Sequence, residues 1–213
     1  MNKDISKTDK FFIIIRAGIK VFRGGVRKLF LKKSKGFLFV GKHVSITYSK
    51  HICCGKNVKF ESFSEIQGLA SEGLIFGDNV TIGKYVQIRP SSYYGGDYGK
   101  GLSMGNNSSI GPNAYVGCSG KITIGNNVMI GPKCSLFAEN HNFSNKELTI
   151  KEQGVNQKGI VIEDDCWIGS NVIILDGVRI GRGSVIGAGS LVSKDIPAGS
   201  IYINKRNINI RQR

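Results

Sequence analysis

The chain repeats itself every six residues. Units reading FGDNVT, IGKYVQ, MGNNSS, IGPNAY, IGNNVM, IGPKCS, IEDDCW and IGSNVI begin at residues 76, 82, 104, 110, 124, 130, 162 and 168, and Ile174, Ile180, Ile186 and Val192 carry the beat on to Pro197. Each unit opens on a large apolar residue, glycine usually follows, and a small or β-branched residue stands four places on. A fixed internal period of this kind decides a fold before local propensity does. One inward aliphatic per short strand, a glycine where the chain turns without Cβ hindrance and a smaller inward residue at the corner describe a strand-turn unit wrapped round a narrow core. Three units close a triangular coil, and successive coils pair by parallel β hydrogen bonds at roughly 4.8 Å. The pattern predicts a parallel β-helix. Weaker units at Val40 to Val44 and Cys54 to Val58 put its start near residue 40. The chain divides into a basic N-terminal region (1–39), a repeat domain (40–200) and a basic tail (201–213).

Composition agrees with one such domain. The 29 glycines in 213 residues suit a turn every six residues, and Pro112 and Pro132 each follow an Ile-Gly, at corners. Cys134 and Cys166 take the small inward position, Cys118 lies near a corner, and Cys53 and Cys54 are adjacent. Five cysteines without paired spacing predict free thiols and a cytoplasmic chain. The short apolar run 11–15 ends at Arg16 with no cleavage site after it, so no signal peptide is expected, and nothing approaches the about 20 apolar residues of a membrane span. No metal is expected either. A three-histidine zinc site on a β-helix is disfavoured because His141 is the one histidine after His51; His43 and His51 read as surface residues.

Charge is concentrated at one end. Residues 1–60 hold 15 Lys/Arg against Asp4 and Asp9, leaving the repeat domain nearly neutral. There Phe12, Ile15, Ile19, Phe22, Val26 and Leu29 fall at helical three-four spacing beside a stripe of Arg16, Lys20, Arg23 and Arg27. This predicts a basic amphipathic helix over 9–33, capped by Thr8 or Asp9, with Gly24-Gly25 as its weak point. Either the helix lays its apolar face on the open end of the β-helix and hides unpaired strand edges, or it lies in the plane of an anionic membrane surface, on the inner face of the membrane. Nucleic acid is not an expected partner, because the basic residues lack recognition motifs.

The beat fails twice. Between residues 89 and 103 it yields to RPSSYYGGDYGKGLS, where Tyr93, Tyr94 and Tyr98 either form a sugar platform or decorate an ordinary corner. Between 142 and 158 it yields to a longer loop, rich in hydroxyl-pairing groups, that begins just after His141. Loops of that length in a compact repeat carry function or are disordered. An imidazole with a pKa near 6.5, placed where a strand hands over to such a loop, is a candidate general base for a hydroxyl. Glu139 is a candidate to orient it, though spacing alone does not place its carboxylate. Trp167, the sole tryptophan, falls at an outward position, which either a ligand or a neighbouring subunit explains.

Four motifs extend this reading: NH-x-F at 140–143, QG at 153–154, IEDDCWIGSNVIILDGVRIG at 162–181 and VIGAGSLVSKDIP at 185–197. Over about residues 40 to 200 the chain resembles the hexapeptide-repeat acyltransferases with a left-handed β-helix. It looks most like O-antigen and capsular polysaccharide O-acetyltransferases and the galactoside and maltose acetyltransferases. The resemblance implies an all-β, left-handed parallel β-helix and transfer of acetyl from acetyl-CoA to a saccharide hydroxyl, the saccharide being lipid-linked in some settings. It implies a homotrimer with active sites between subunits. His141 matches the catalytic histidine. Trp167, Ser170, Ala188, Ser193, Lys194 and Arg211 match cofactor-contacting positions, and Asn140, Asn142, Glu139, Asn113 and Gln153 are the candidate substrate contacts. The chain departs from the family after its last coil, where INKRNINIRQR replaces the usual Gly-Asn-Pro-Ala-Lys stretch. Two alternatives remain: an amino-sugar N-acetyltransferase, and a non-catalytic β-helix scaffold held at a membrane.

Overall fold

The computed structural model describes residues 5–90 and 98–204. Each inward position of the six-residue beat is buried: Phe76, Val80, Ile82 and Val86 in one coil, Ile162, Cys166, Ile168, Val172 and Ile174 in a later one. Fully burying an aliphatic side chain is worth about 1.5–3 kcal/mol, an upper figure because an unfolded chain already hides part of that surface. The residues between them face outward, so the core is one file of side chains along the coil axis.

Consecutive strands pass to different sheets, and each pairs in parallel with the strand one coil later. Three sheets result. The first runs from Lys33–Ser34 to Arg179–Ile180, the second from Leu38–Val40 to Ile201–Tyr202, and the third from Ser45–Thr47 to Leu191–Val192. This is a left-handed parallel β-helix of triangular section. Its pairing reaches back to Lys33–Ser34 against Cys53–Cys54 and forward to Ile201–Tyr202 against Val185–Ile186, past both ends of the 40–200 span read from the repeats. At the first of these ends the inward position is taken by Ser34, six residues before Val40 but without the large apolar side chain that marks the beat. All five cysteines are free, and burial pushes the thiols of Cys54 and Cys118 up to about 12.

The glycine after each aliphatic has a different task from the one the repeat suggested. A Cβ on Gly105 would meet Gly125 C at 2.6 Å, so this glycine lets adjacent coils approach. The left-handed turn is made two residues later, by Asn57, Asn79, Asn107 and Asn127, with φ from 55° to 59°. Asparagine tolerates that region better than other residues with a Cβ. The side chains then ladder up the corner: Asn79 Nδ2 donates to Asn107 Oδ1 at 2.9 Å, and Asp78 N donates to Asn106 Oδ1 at 2.7 Å.

The one α-helix among the described residues, α1 (Lys7–Lys28), is shorter than the predicted 9–33 span and starts earlier. Its cap is Ser6, whose Oγ accepts from Asp9 N at 3.0 Å, rather than Thr8 or Asp9. It ends before residue 33 because Lys33 is already in the first sheet. Gly24 is no weak point. It is the buried residue of α1, and a Cβ there would stand 1.8 Å from Leu38 O. Lys20 Nζ pairs with Glu61 at 2.7 Å, and Lys28 Nζ donates to Gly36 O at 2.7 Å. The helix therefore docks on the first coil through Ala17, Lys20, Val21, Gly24 and Lys28, all buried or half-buried. At 100° per residue these lie roughly opposite Phe12, Ile15, Ile19, Phe22, Val26 and Leu29, which are exposed. Of the two placements left open by the sequence, the one in which the apolar face covers the coil is not what the structure shows; α1 docks there by its small and basic face.

Candidate active site

The second break in the beat is a hairpin thrown out from the corner between the third and first sheets. The coil is left after Ala138, which is fully buried, and rejoined at Gly159 and Ile160. The excursion thus begins with Glu139, three residues before the sequence signal. Asn140–His141 pairs antiparallel with Val155–Asn156, His141 opposite Val155. His141 is exposed on this ribbon.

The loop is held by its own polar side chains. Asn142 Nδ2 donates to Gln153 O at 3.0 Å, and Asn142 N donates to Gly154 O at 3.0 Å. Gln153 Nε2 donates to Asn145 O at 2.9 Å while its Oε1 accepts from Asn145 N at 2.9 Å. Two of the residues expected to touch substrate, Asn142 and Gln153, thus build the loop that carries His141. Glu139, half-buried, accepts from Gln157 Nε2 at 3.5 Å, so its hydrogen bond ties the two hairpin strands together and does not reach His141.

A residue that the motifs contain but the sequence reading did not single out fixes the return strand. Asp176 Oδ1 accepts from Gly159 N at 2.7 Å and Oδ2 from Lys158 N at 3.0 Å. The readable signal was an aspartate at a corner in the coil directly above a loop, where a carboxylate can take two backbone N–H groups that the broken beat leaves over.

The remaining expected positions fall into two groups. Ser193 and Lys194 follow Val192 at the same corner as the hairpin and are exposed; Leu175 N donates to Val192 O at 3.0 Å, which stacks this pair above Asp176. Trp167 instead stands outward on the second sheet, 54% exposed. Met129 and Val185 are its register neighbours, and Ile201 follows Val185, making an apolar lane up that sheet. Ser170 and Ala188 stack on the corner between the second and third sheets, where a Cβ on Gly169 would meet Ala188 N at 2.6 Å. Asn113, also exposed, occupies that corner several coils below, with φ 60°. In a triangular coil, the corner bearing His141 is the one opposite the second sheet. One chain therefore carries His141, Ser193 and Lys194 at one corner and keeps Trp167 on the far side. Tyr98 is exposed; Tyr93, Tyr94 and Arg211 lie outside the described residues. Among the described residues no cluster of three or more potential ligands could hold a metal ion.

Residues 159–194 match the model of the bacterial transferase hexapeptide, six repeats. That segment carries hexapeptide repeats of this kind. Over 93 residues it is 45% identical to the galactoside O-acetyltransferase of Lactococcus lactis, covering 41% of this chain and 44% of that protein. Over 77 residues it is 44% identical to the galactoside O-acetyltransferase of Escherichia coli, covering 36% of each. The chain spans less than half the length of the curated relatives it matches. Among solved structures it resembles AntD, an N-acyltransferase from Bacillus cereus in complex with dTDP and 3-hydroxybutyryl-CoA, with TM-score 0.54 and 19% identity over 90% of this chain and 89% of that one. At that identity the likeness is one of fold.

Proposed function

We propose that the chain transfers acetyl from acetyl-CoA to a hydroxyl of a saccharide, with His141 as general base and each active site shared between two copies of a homotrimer. The observation that carries this reading is the separation just described, the imidazole on one corner and the exposed tryptophan lane on the opposite sheet. A second copy that presents its lane to the first copy's hairpin completes a cleft with both. The hairpin also exposes Phe143, Leu148 and Ile150, a cost in water that burial against a neighbour removes. The segment that matches the galactoside O-acetyltransferases supports a hydroxyl acceptor.

In this reading Trp167 and the apolar lane flank the pantetheine arm, Ser170 and Ala188 present backbone and hydroxyl groups to it, and Ser193 and Lys194 offer polar and cationic contacts. His141 takes the proton of the acceptor hydroxyl as its oxygen attacks the thioester carbonyl. The carbon–sulfur bond then breaks, and the CoA thiolate recovers the proton from the imidazolium. Asn140 borders the same space. Asn142, Gln153 and Glu139 act by holding the hairpin's shape.

The test is incubation of the protein with acetyl-CoA and a panel of glycans, the acetyl group located by mass spectrometry and NMR. An ester on a sugar oxygen supports the reading. An amide on an amino sugar would replace it with N-acetyl transfer, and no product with any acceptor while CoA fails to bind would favour a scaffold.

A further inference from the structure

Helix α1 leaves its apolar face without a partner. Phe22 is 75% and Leu29 81% exposed, and Phe12, Ile15, Ile19 and Val26 share that side. Phe30 and Phe37, just beyond the helix, are exposed as well. Beside this face run Arg16, Arg23 and Arg27, and Asp9 is the one acidic residue of the helix. Lys20 does not add to the stripe, because Glu61 already pairs with it.

We propose that this face seats the protein on an anionic lipid surface, the helix lying in the plane of the interface. Three observations select that occupant. The docked side of α1 is taken by the coil, with Gly24 against Leu38, so a groove that wraps a helix cannot close around it, whereas a flat surface meets the free side. A second copy docked helix to helix would bring the same guanidinium stripe with it and crowd like charge. No helix among the described residues is long and apolar enough to cross a membrane, which leaves the interfacial mode for an apolar face flanked by cations. The apolar side chains enter the headgroup and acyl boundary while the arginines meet lipid phosphate and carboxylate. The hairpin bearing His141 then stands four coils from the coil on which α1 docks, roughly 20 Å along the coil axis, with the thickness of the helix, about 10 Å, added between that coil and the lipid. This inference does not depend on the reaction.

The experiment is co-sedimentation of the full chain with vesicles of phosphatidylcholine alone and of equal parts phosphatidylcholine and phosphatidylserine, at low and high salt. Two variants accompany it, Phe22→Ser/Leu29→Ser and Arg16→Gln/Arg27→Gln, all at exposed positions, with thermal melting and sedimentation velocity as checks on fold and assembly. The full chain is expected to pellet with the serine-containing vesicles, to be released by salt, and to lose roughly tenfold or more of its affinity in either variant. Equal binding to both vesicles, binding to neither, or an apolar variant that pellets like the parent chain would overturn the proposal. A fall in oligomeric mass of Phe22→Ser/Leu29→Ser would overturn it too, by assigning the face to contact between copies.

Discussion

Three glycines of α1 make an internally controlled experiment. In an exposed helix interior, Gly→Ala ordinarily stabilises by about 1 kcal/mol. Gly18 and Gly25 have nothing within 4 Å of a new Cβ, so Gly18→Ala and Gly25→Ala should follow that rule. At Gly24 the new Cβ would lie 1.8 Å from Leu38 O, and ordinary contact begins at 3.4 Å, so helix and strand must part by about 1.6 Å there. Overpacking of this kind costs about 1–3 kcal/mol, against the same gain of about 1 kcal/mol in propensity. Because α1 sits at the end of the coil, the chain relieves the clash by undocking the helix rather than by unfolding. Amide hydrogen exchange over 7–28 and 38–40 reads this directly. The net cost is up to about 2 kcal/mol, so Gly24→Ala should raise exchange by up to roughly thirtyfold, while the other two variants slow it. Exchange in Gly24→Ala as slow as in Gly25→Ala would refute the docking described above.

Asp176→Ala should lower kcat by roughly ten- to a hundredfold with little change in the KM for acetyl-CoA, as misplacement of the base requires, and should speed exchange at 155–159; Asp176→Asn, which keeps an acceptor, should recover part of both. Backbone N–H bonds from Arg182 and Asn126, joined by the guanidiniums of Arg179 and Arg182, hold the Glu163 and Asp164 carboxyls below their ordinary 4.5 and 3.8. Their stabilisation is present above those ordinary values and is lost as pH falls through the lowered ones, so Glu163→Gln/Asp164→Asn should flatten the acid limb of Tm against pH and leave the neutral limb's slope unchanged. A His141→Ala chain mixed with a Trp167→Ala chain should regain activity when subunits exchange, since each defect lies on the opposite side of its own chain; inactive mixed oligomers would contradict the shared site.

The coil was legible because its signal is redundant. The residues at a period of six are buried at each predicted inward position, though the period alone does not give the hand of the coil. The helix was legible as amphipathic but not in its orientation. Moment alone does not say which face meets the coil, and the decisive contact is the missing side chain of Gly24 against a carbonyl oxygen. His141 was readable because the beat stops beside it. The hydrogen bonds that Asn142 and Gln153 make within the loop were not, because a polar side chain at a loop reads the same whether it binds a ligand or the loop's own backbone. Asp176 was hidden for the related reason that its partners, Lys158 N and Gly159 N, lie in the preceding coil, a contact that linear spacing does not display.

The central claim, that His141 is the base for acetyl transfer, is tested most directly by measuring turnover and CoA affinity together in His141→Ala. A positioned base contributes about 10²- to 10⁴-fold, so turnover from acetyl-CoA to the identified acceptor should fall by that much while CoA binds as it does to the parent chain. Turnover close to that of the parent chain, with CoA binding intact, would remove His141 from the mechanism.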